Sequence, residues 1–283
     1  IVTSRFTTPE VEARLTPAGS SSGWPDAPYV ALANPISAER SVMRHTLLAG
    51  ALQVVVQNTR WRDRQALFEI GSVYLPVAGW KLPDEPARLC IVLTGARGLP
   101  AWQDGAGASP AMMDFFDLKG IIEGLMNDLH VEDISFVPVE HGSFFPGRTA
   151  SLNVAGRSIG VFGELHPLVL SAFGLGEPVV LAAELDLNAL TAAIPGTTVT
   201  GGLSTFPAIF QDIAVVVDEA TPAASVEAVI REAGGYLLKG VRLFDVYRSE
   251  QIGVGKKSLA YSMTFQAPDK TLRDKDAASI QTR

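Results

Sequence analysis

Apolar positions recur along the chain with two distinct periods. Leu47, Leu48, Ala51, Leu52, Val55 and Val56 repeat at helical spacing, and Ser37 upstream can cap a helix entry. Phe115, Leu118, Ile121, Ile122, Leu125, Met126 and Leu129 form a second, stronger helical stripe. Residues 66–75, 88–94 and 179–187 are short apolar runs that predict strands. Residues 149–154 and 159–165 flank Ala155-Gly156-Arg157-Ser158, which predicts a hairpin. Hairpin-joined strands with long helices predict a mostly antiparallel sheet rather than a βαβ winding.

The segment 194–204, I-P-G-T-T-V-T-G-G-L-S, carries no charge and too little apolar content for a core element. It marks the expected boundary between one module at 1–204 and a second at 205–283. Residues 101–111, rich in Gly, Ala, Ser and Pro, predict a mobile loop. Beyond the boundary, 211–218 predicts a strand. Thr221-Pro222 then starts a helix that Gly234-Gly235 ends. Residues 241–248 and 258–266 predict two more strands, and 274–280 an unfinished helix. This β-α-β-β-α order is the start of a split-βαβ, ferredoxin-like domain, cut before a fourth strand.

Alternation assigns the faces of these strands. Ile213, Val215 and Val217 point to one side, where Phe244, Val246, Leu259, Tyr261, Met263 and Phe265 are expected to join them under the helices. The other face then carries Ala214, Leu243, Asp245, Tyr247, Ser258, Ala260, Ser262 and Thr264. An aromatic ring stacks under an unpaired base, and a carboxylate accepts from the ring and amino N–H groups of guanine. The same pattern also suits a plain solvated face of a two-layer sheet, and alternation leaves both readings open.

Composition narrows the function classes. Of 283 residues, 23 are Lys or Arg and 30 are Asp or Glu, giving −7, which argues against a generic nucleic-acid coat or a polybasic membrane binder. The charge is uneven: residues 239–275 hold eight basic and four acidic residues, so +4, leaving −11 elsewhere. One cysteine, Cys90, excludes an internal disulfide and a thiolate metal cage and fits a reducing, cytoplasmic setting. No apolar run reaches the roughly 20 residues needed to span a bilayer. A start at Ile1 without a signal-peptide pattern, and an end inside a predicted helix, lead us to expect an internal piece of a longer protein.

Familiar catalytic signatures are not assembled. Gly253-Val254-Gly255-Lys256-Lys257-Ser258 resembles a phosphate loop, but Glu250 stands at the first Gly position, Lys257 at the Ser/Thr position, and a strand follows. His45, His130, His141 and His166 lack metal-ligand spacing. His166 before Pro167 reads as a helix cap, Cys90 as core, and Asp114, Asp117 and Glu123 as solvated helix charges. No active site and no metal site are expected.

Several blocks together resemble the β subunit of bacterial phenylalanyl-tRNA synthetase. They are A-N-P-I-S-A-E-R-S-V-M-R at 33–44 with Leu47-Leu48, and L-F-E-I-G at 67–71. P-G-R-T-A at 146–150 and I-G-V-F-G-E-L-H-P at 159–167 follow. R-L-F-D-V-Y-R at 242–248, E-Q-I-G at 250–253, G-K-K-S-L at 255–259 and Thr271-Leu272 complete the set. The blocks stand in family order over nearly the whole chain.

The resemblance implies an α+β fold: a class II synthetase-like antiparallel sheet with helices, then a truncated ferredoxin-fold anticodon-binding domain. It implies no activity in the first module, since neither an F-R-x-E context nor a second catalytic Arg context is present. By position, Asp245, Tyr247 and Ser258 match family residues that read a guanine at the first anticodon base, and Ala214 matches a backing residue. Arg248, Lys256 and Lys257 are the implied phosphate contacts. The implied partners are the catalytic α subunit, as two α and two β, and the tRNA for phenylalanine, with no membrane and no DNA. ATP and Mg²⁺ would serve the parent enzyme and no cofactor this fragment. The alternative is an assembly module without direct RNA recognition. One departure is Phe210-Gln211 before Asp212, where the family carries basic residues. The helix after Met43-Arg44 suits either subunit pairing or a plain core face.

Overall fold

The computed structural model describes residues 1–20, 23–25, 27–35, 37–99, 110–176, 179–197, 202 and 204–272. Most of the predicted 101–111 loop, half of the 194–204 boundary and the predicted terminal helix lie outside the described residues. The chain divides into two compact units, 1–198 and 199–283.

The first unit opens with β1 (Phe6–Thr7), α1 (Pro9–Ala13) and β2 (Val42–Met43), the two strands pairing antiparallel. Then follow α2 (Leu48–Asn58), β3 (Gln65–Ser72), β4 (Ala87–Thr94), α3 (Phe115–Asp128) and β5 (Ile134–Pro138). The unit closes with β6 (Phe144–Val154), β7 (Arg157–Leu165), α4 (Pro167–Ala172), β8 (Val180–Asp186) and α5 (Leu187–Ala193). Six strands form one sheet in the order β3-β4-β8-β7-β6-β5, every pair antiparallel.

Both faces of this sheet are covered, which is why β4 and β8 read as nearly unbroken apolar runs. Leu48, Leu52 and Val55 of α2 pack with Cys90, Val92, Val180 and Ala182. Leu118, Ile122 and Met126 of α3 and Leu190 of α5 pack with Leu89, Ile91, Leu181, Ala183 and Leu185. The α2 stripe is therefore a core face. The predicted hairpin closes through Ala155 and Gly156, both at positive φ (48° and 74°), as a two-residue turn between antiparallel strands requires.

Three local expectations change. Ser37 precedes only a short 3₁₀ turn and makes no capping hydrogen bond. α2 starts eleven residues later, its first turn held by buried side chains. Asp114 and Asp117 are more than solvated charges: they form a reciprocal capping box on α3, and Arg97 pairs with both. β5 was not predicted, because it is short, carries Pro138 and lies at the sheet edge, where the ladder tolerates proline. His166 does cap α4, its Nδ1 accepting from the Leu168 amide at 3.1 Å. Cys90 is wholly buried, which raises its thiol pKa.

The second unit contains β9 (Ile209–Asp218), α6 (Ala223–Gly234), β10 (Leu238–Tyr247) and β11 (Lys256–Phe265). Their sheet order is β10-β11-β9, antiparallel throughout. Met263 and Phe265 pack with Ile209, Ile213, Ile230 and Leu238. The Tyr261 hydroxyl donates to the Ala223 carbonyl at 2.8 Å, tying β11 to the start of α6. Gly253 and Gly255, at φ 103° and 74°, turn the chain between β10 and β11, so the lysine-rich stretch is a hairpin loop rather than a phosphate loop. Among the described residues no helix is long and apolar enough to cross a membrane.

Candidate nucleic-acid interface

Cross-strand partners share a face, so the register of the three-stranded sheet fixes its composition. Tyr247 pairs with Ser258, which pairs with Val216; Asp245 pairs with Ala260, which pairs with Ala214. Asp245, Tyr247, Ser258 and Ala214 are thus brought together on the face opposite α6. Tyr247 is 50% exposed, an aromatic surface at low entropic cost because the strand fixes its backbone.

The register departs from simple alternation inside β10. Leu243 pairs with Tyr261 and Asp245 with Ala260, so Phe244 is an extra residue without a partner. This β-bulge resets the faces. Leu243, expected on the open face, lies with Tyr261 on the helix side. Phe244, expected on the helix side, is unpaired and half exposed. Upstream of the bulge the open face is built from Arg242 opposite Ser262 and Gly240 opposite Thr264, with Asp212 and Phe210 completing those rows on β9.

The expected phosphate contacts do not form one group. Arg248 makes a forked ion pair with Glu219, Nη2 at 2.8 Å and Nε at 3.1 and 3.2 Å from its oxygens. That pairing holds the Glu219 carboxyl below its usual range. Lys257 Nζ donates to the Glu219 carbonyl at 2.8 Å, and its partner Val217 lies in the helix-side row. Lys256 sits opposite Asp218, in the open-face row beyond Tyr247. Sequence reasoning missed Arg242, Phe210 and Asp212. Phe210 and Asp212 have the same parity as Ala214, a signal present in the sequence. Arg242 was hidden, since Leu243-Phe244 are both apolar and the alternation reads plausibly with either one buried.

In the first unit, buried polar groups are occupied in holding one segment, 44–48. Glu184 accepts from the Thr46 hydroxyl (2.6 Å) and from the amides of Leu47 (3.0 Å) and Leu48 (3.2 Å), serving the first turn of α2. Glu12 accepts from the His45 amide (3.0 Å) and the Tyr29 hydroxyl (3.1 Å), and burial pushes its pKa up to about 7. Arg44 and Glu69 pair at 2.8 Å, almost fully buried. Among the described residues, no three His, Cys, Asp or Glu side chains are grouped as metal ligands.

Comparison with known proteins places these features. Residues 1–187 match the family model described as the phenylalanyl tRNA synthetase beta chain CLM domain, and residues 204–283 match the ferredoxin-fold anticodon binding domain. The chain is similar to phenylalanine–tRNA ligase β subunits of Symbiobacterium thermophilum (42% identity, 92% of this chain and 29% of the relative) and Moorella thermoacetica (42%, 90% and 31%). That of Bacillus subtilis is 39% identical over 89% of this chain and 31% of the relative. The chain therefore spans about a third or less of the curated relatives' length. A solved structure of a pyrrolysyl tRNA synthetase from Desulfitobacterium hafniense is 14% identical over 68% of this chain and 58% of that one, with a TM-score of 0.47. With a β-chain model over its six-stranded unit and an anticodon-binding model over its three-stranded one, the chain belongs to the phenylalanyl-tRNA synthetase β-chain family.

Proposed function

We propose that this chain serves phenylalanine–tRNA ligase as a non-catalytic scaffold, residues 1–204, joined to an anticodon-reading module, residues 205–283. The observation that carries the reading is the shared face of Asp245, Tyr247, Ser258 and Ala214. Tyr247 stacks under the first anticodon base. Asp245 accepts from the N–H donors of a guanine there, Ser258 adds a hydroxyl contact, and Ala214 leaves room for the base. Lys256 and Arg248 meet phosphates, Arg248 by exchanging Glu219 for the RNA; both groups of the Arg248–Glu219 pair are on the surface, where water screens such pairing.

The partners in this reading are a catalytic α subunit, in a complex of two α and two β, and the tRNA for phenylalanine, in the cytoplasm. Side chains exposed on β3, Phe68 and Ile70, suit burial against a subunit. ATP and Mg²⁺ belong to the α subunit. A hollow of about 420 Å³ on the sheet of the first unit is lined by Glu140, Glu184 and Asp186 against one arginine, Arg88, already paired with Asp186. That charge balance does not fit a triphosphate.

The test is an affinity titration of the full 283-residue chain with anticodon stem-loops, one with GAA and one with adenine at the first position. A preference for guanine that Tyr247→Ala abolishes, with a loss of about 1–3 kcal/mol, supports the reading. Equal, weak binding of both loops, unchanged by Tyr247→Ala, leaves only the assembly role.

A further inference from the structure

We infer that Arg242 is a phosphate contact for the RNA strand that carries the recognised base, placed there by the bulge at Phe244. The inference rests on the anticodon reading and adds a residue to it. Along β11 each open-face row is separated from the next by two strand residues, about 6.8 Å, and on β10 the bulge makes one of these steps, Asp245 to Arg242, three residues. In order, the rows are Lys256 with Asp218, then Tyr247 with Ser258, then Asp245 with Ala260, then Arg242 with Ser262, then Gly240 with Thr264 and Phe210. The base-reading pair is thus bracketed by a cation on each side. An extended single strand repeats its phosphates at a similar spacing, so a base seated on Tyr247 sends its backbone past one cation or the other.

The state of Arg242 fits that task. It is exposed and makes no ion pair among the described residues. Arg248 and Lys257, by contrast, are both engaged by Glu219. The nearby acidic groups are Asp245, one row away on the same strand, and Asp212, across Ser262 at two strand spacings, about 9.6 Å. These carboxylates keep the face from attracting polyanions indiscriminately, so a phosphate is held only where the guanidinium fork reaches it. Were β10 paired without the bulge, Phe244 would stand opposite Tyr261, Leu243 opposite Ser262 and Arg242 opposite Met263, on the side of α6.

The experiment measures stem-loop affinity of the full chain over a range of salt concentrations, for Arg242→Gln, Arg242→Lys and Tyr247→Ala. Arg242→Gln is expected to weaken the GAA and adenine-first loops by the same factor. It should also lower the slope of log affinity against log salt by about 0.7, the value for one single-strand phosphate contact. Arg242→Lys should keep the slope. An unchanged slope in Arg242→Gln overturns the inference, and a changed guanine preference with that slope intact reassigns Arg242 to the base. Loss of guanine preference in Tyr247→Ala is read separately. Its absence, with the Arg242→Gln slope change present, would sink the base-reading proposal and leave the phosphate contact standing.

Discussion

Tyr247 stands directly across the β10–β11 ladder from Ser258, so the ring and the hydroxyl share the exposed face of the second unit. Because β11 is the central strand, Ser258 is also fixed on its other side by Val216. Ser258→Val keeps a strand-favouring side chain in this position and removes only the hydroxyl. Circular dichroism melting should be unchanged within about 1 °C, while affinity for a GAA stem-loop falls by about 1 kcal/mol, one hydrogen bond. Unaltered affinity would remove Ser258 from the site.

Ala214 lies in one row with Asp245 and Ala260, where two small side chains leave space beside the carboxylate. Ala214→Leu adds an exposed apolar side chain without crowding the core. The expected result is at least a tenfold loss of stem-loop affinity with little change in melting temperature. If binding survives, the base does not approach β9.

Glu184 is the buried acceptor for the first turn of α2. Glu184→Ala leaves the Leu47 and Leu48 amides unpaired beneath the helix and opens a cavity. Chemical denaturation of the first unit should show a loss of about 3 kcal/mol or more. The second unit, whose core contains no Glu184 contact, should unfold as before.

Glu12 predicts a pH dependence of definite sign. Its carboxyl pKa is raised by burial to about 7 from an ordinary 4.5. Between those values the folded state holds a proton that the unfolded state releases, so stability falls as pH rises from about 4.5 to 7 and then levels off. The Glu184 carboxyl, also raised by burial, acts in the same direction. Glu12→Gln should flatten part of that decline in urea titrations at pH 5 and pH 7.5. An equal decline in both proteins would rule Glu12 out as its source.

Gly163 in β7 has no room for a side chain: a Cβ there would come within 2.3 Å of the Arg148 carbonyl oxygen on β6. The neighbour is backbone and cannot swing aside. Gly163→Ala should therefore lower the melting temperature of the first unit markedly, by the equivalent of about 2–4 kcal/mol. Gly156→Ala, in open space at positive φ, should cost less, about 1 kcal/mol.

The elements themselves were legible because each is a local pattern. The stripes of α2 and α3, the continuous runs of β4 and β8 and the Ala155-Gly156 turn all report a period or a turn chemistry that a short window contains. The face carrying Asp245, Tyr247, Ser258 and Ala214 was legible for the same reason, since each strand's parity can be read alone.

What only the tertiary structure decided are the relations between segments distant in sequence. Ser37 offered a cap, yet α2 begins where Glu184, 136 residues beyond Leu48, supplies acceptors to its first amides. Asp114 and Asp117 became a cap because Arg97 and the helix dipole favour charge there. Above all, the bulge at Phe244 exists only in the pairing of β10 with β11. The sequence by itself settled which residues alternate; the ladder, with its fixed hydrogen-bond spacing on both strands, decided where the alternation slips and so turned Arg242 outward.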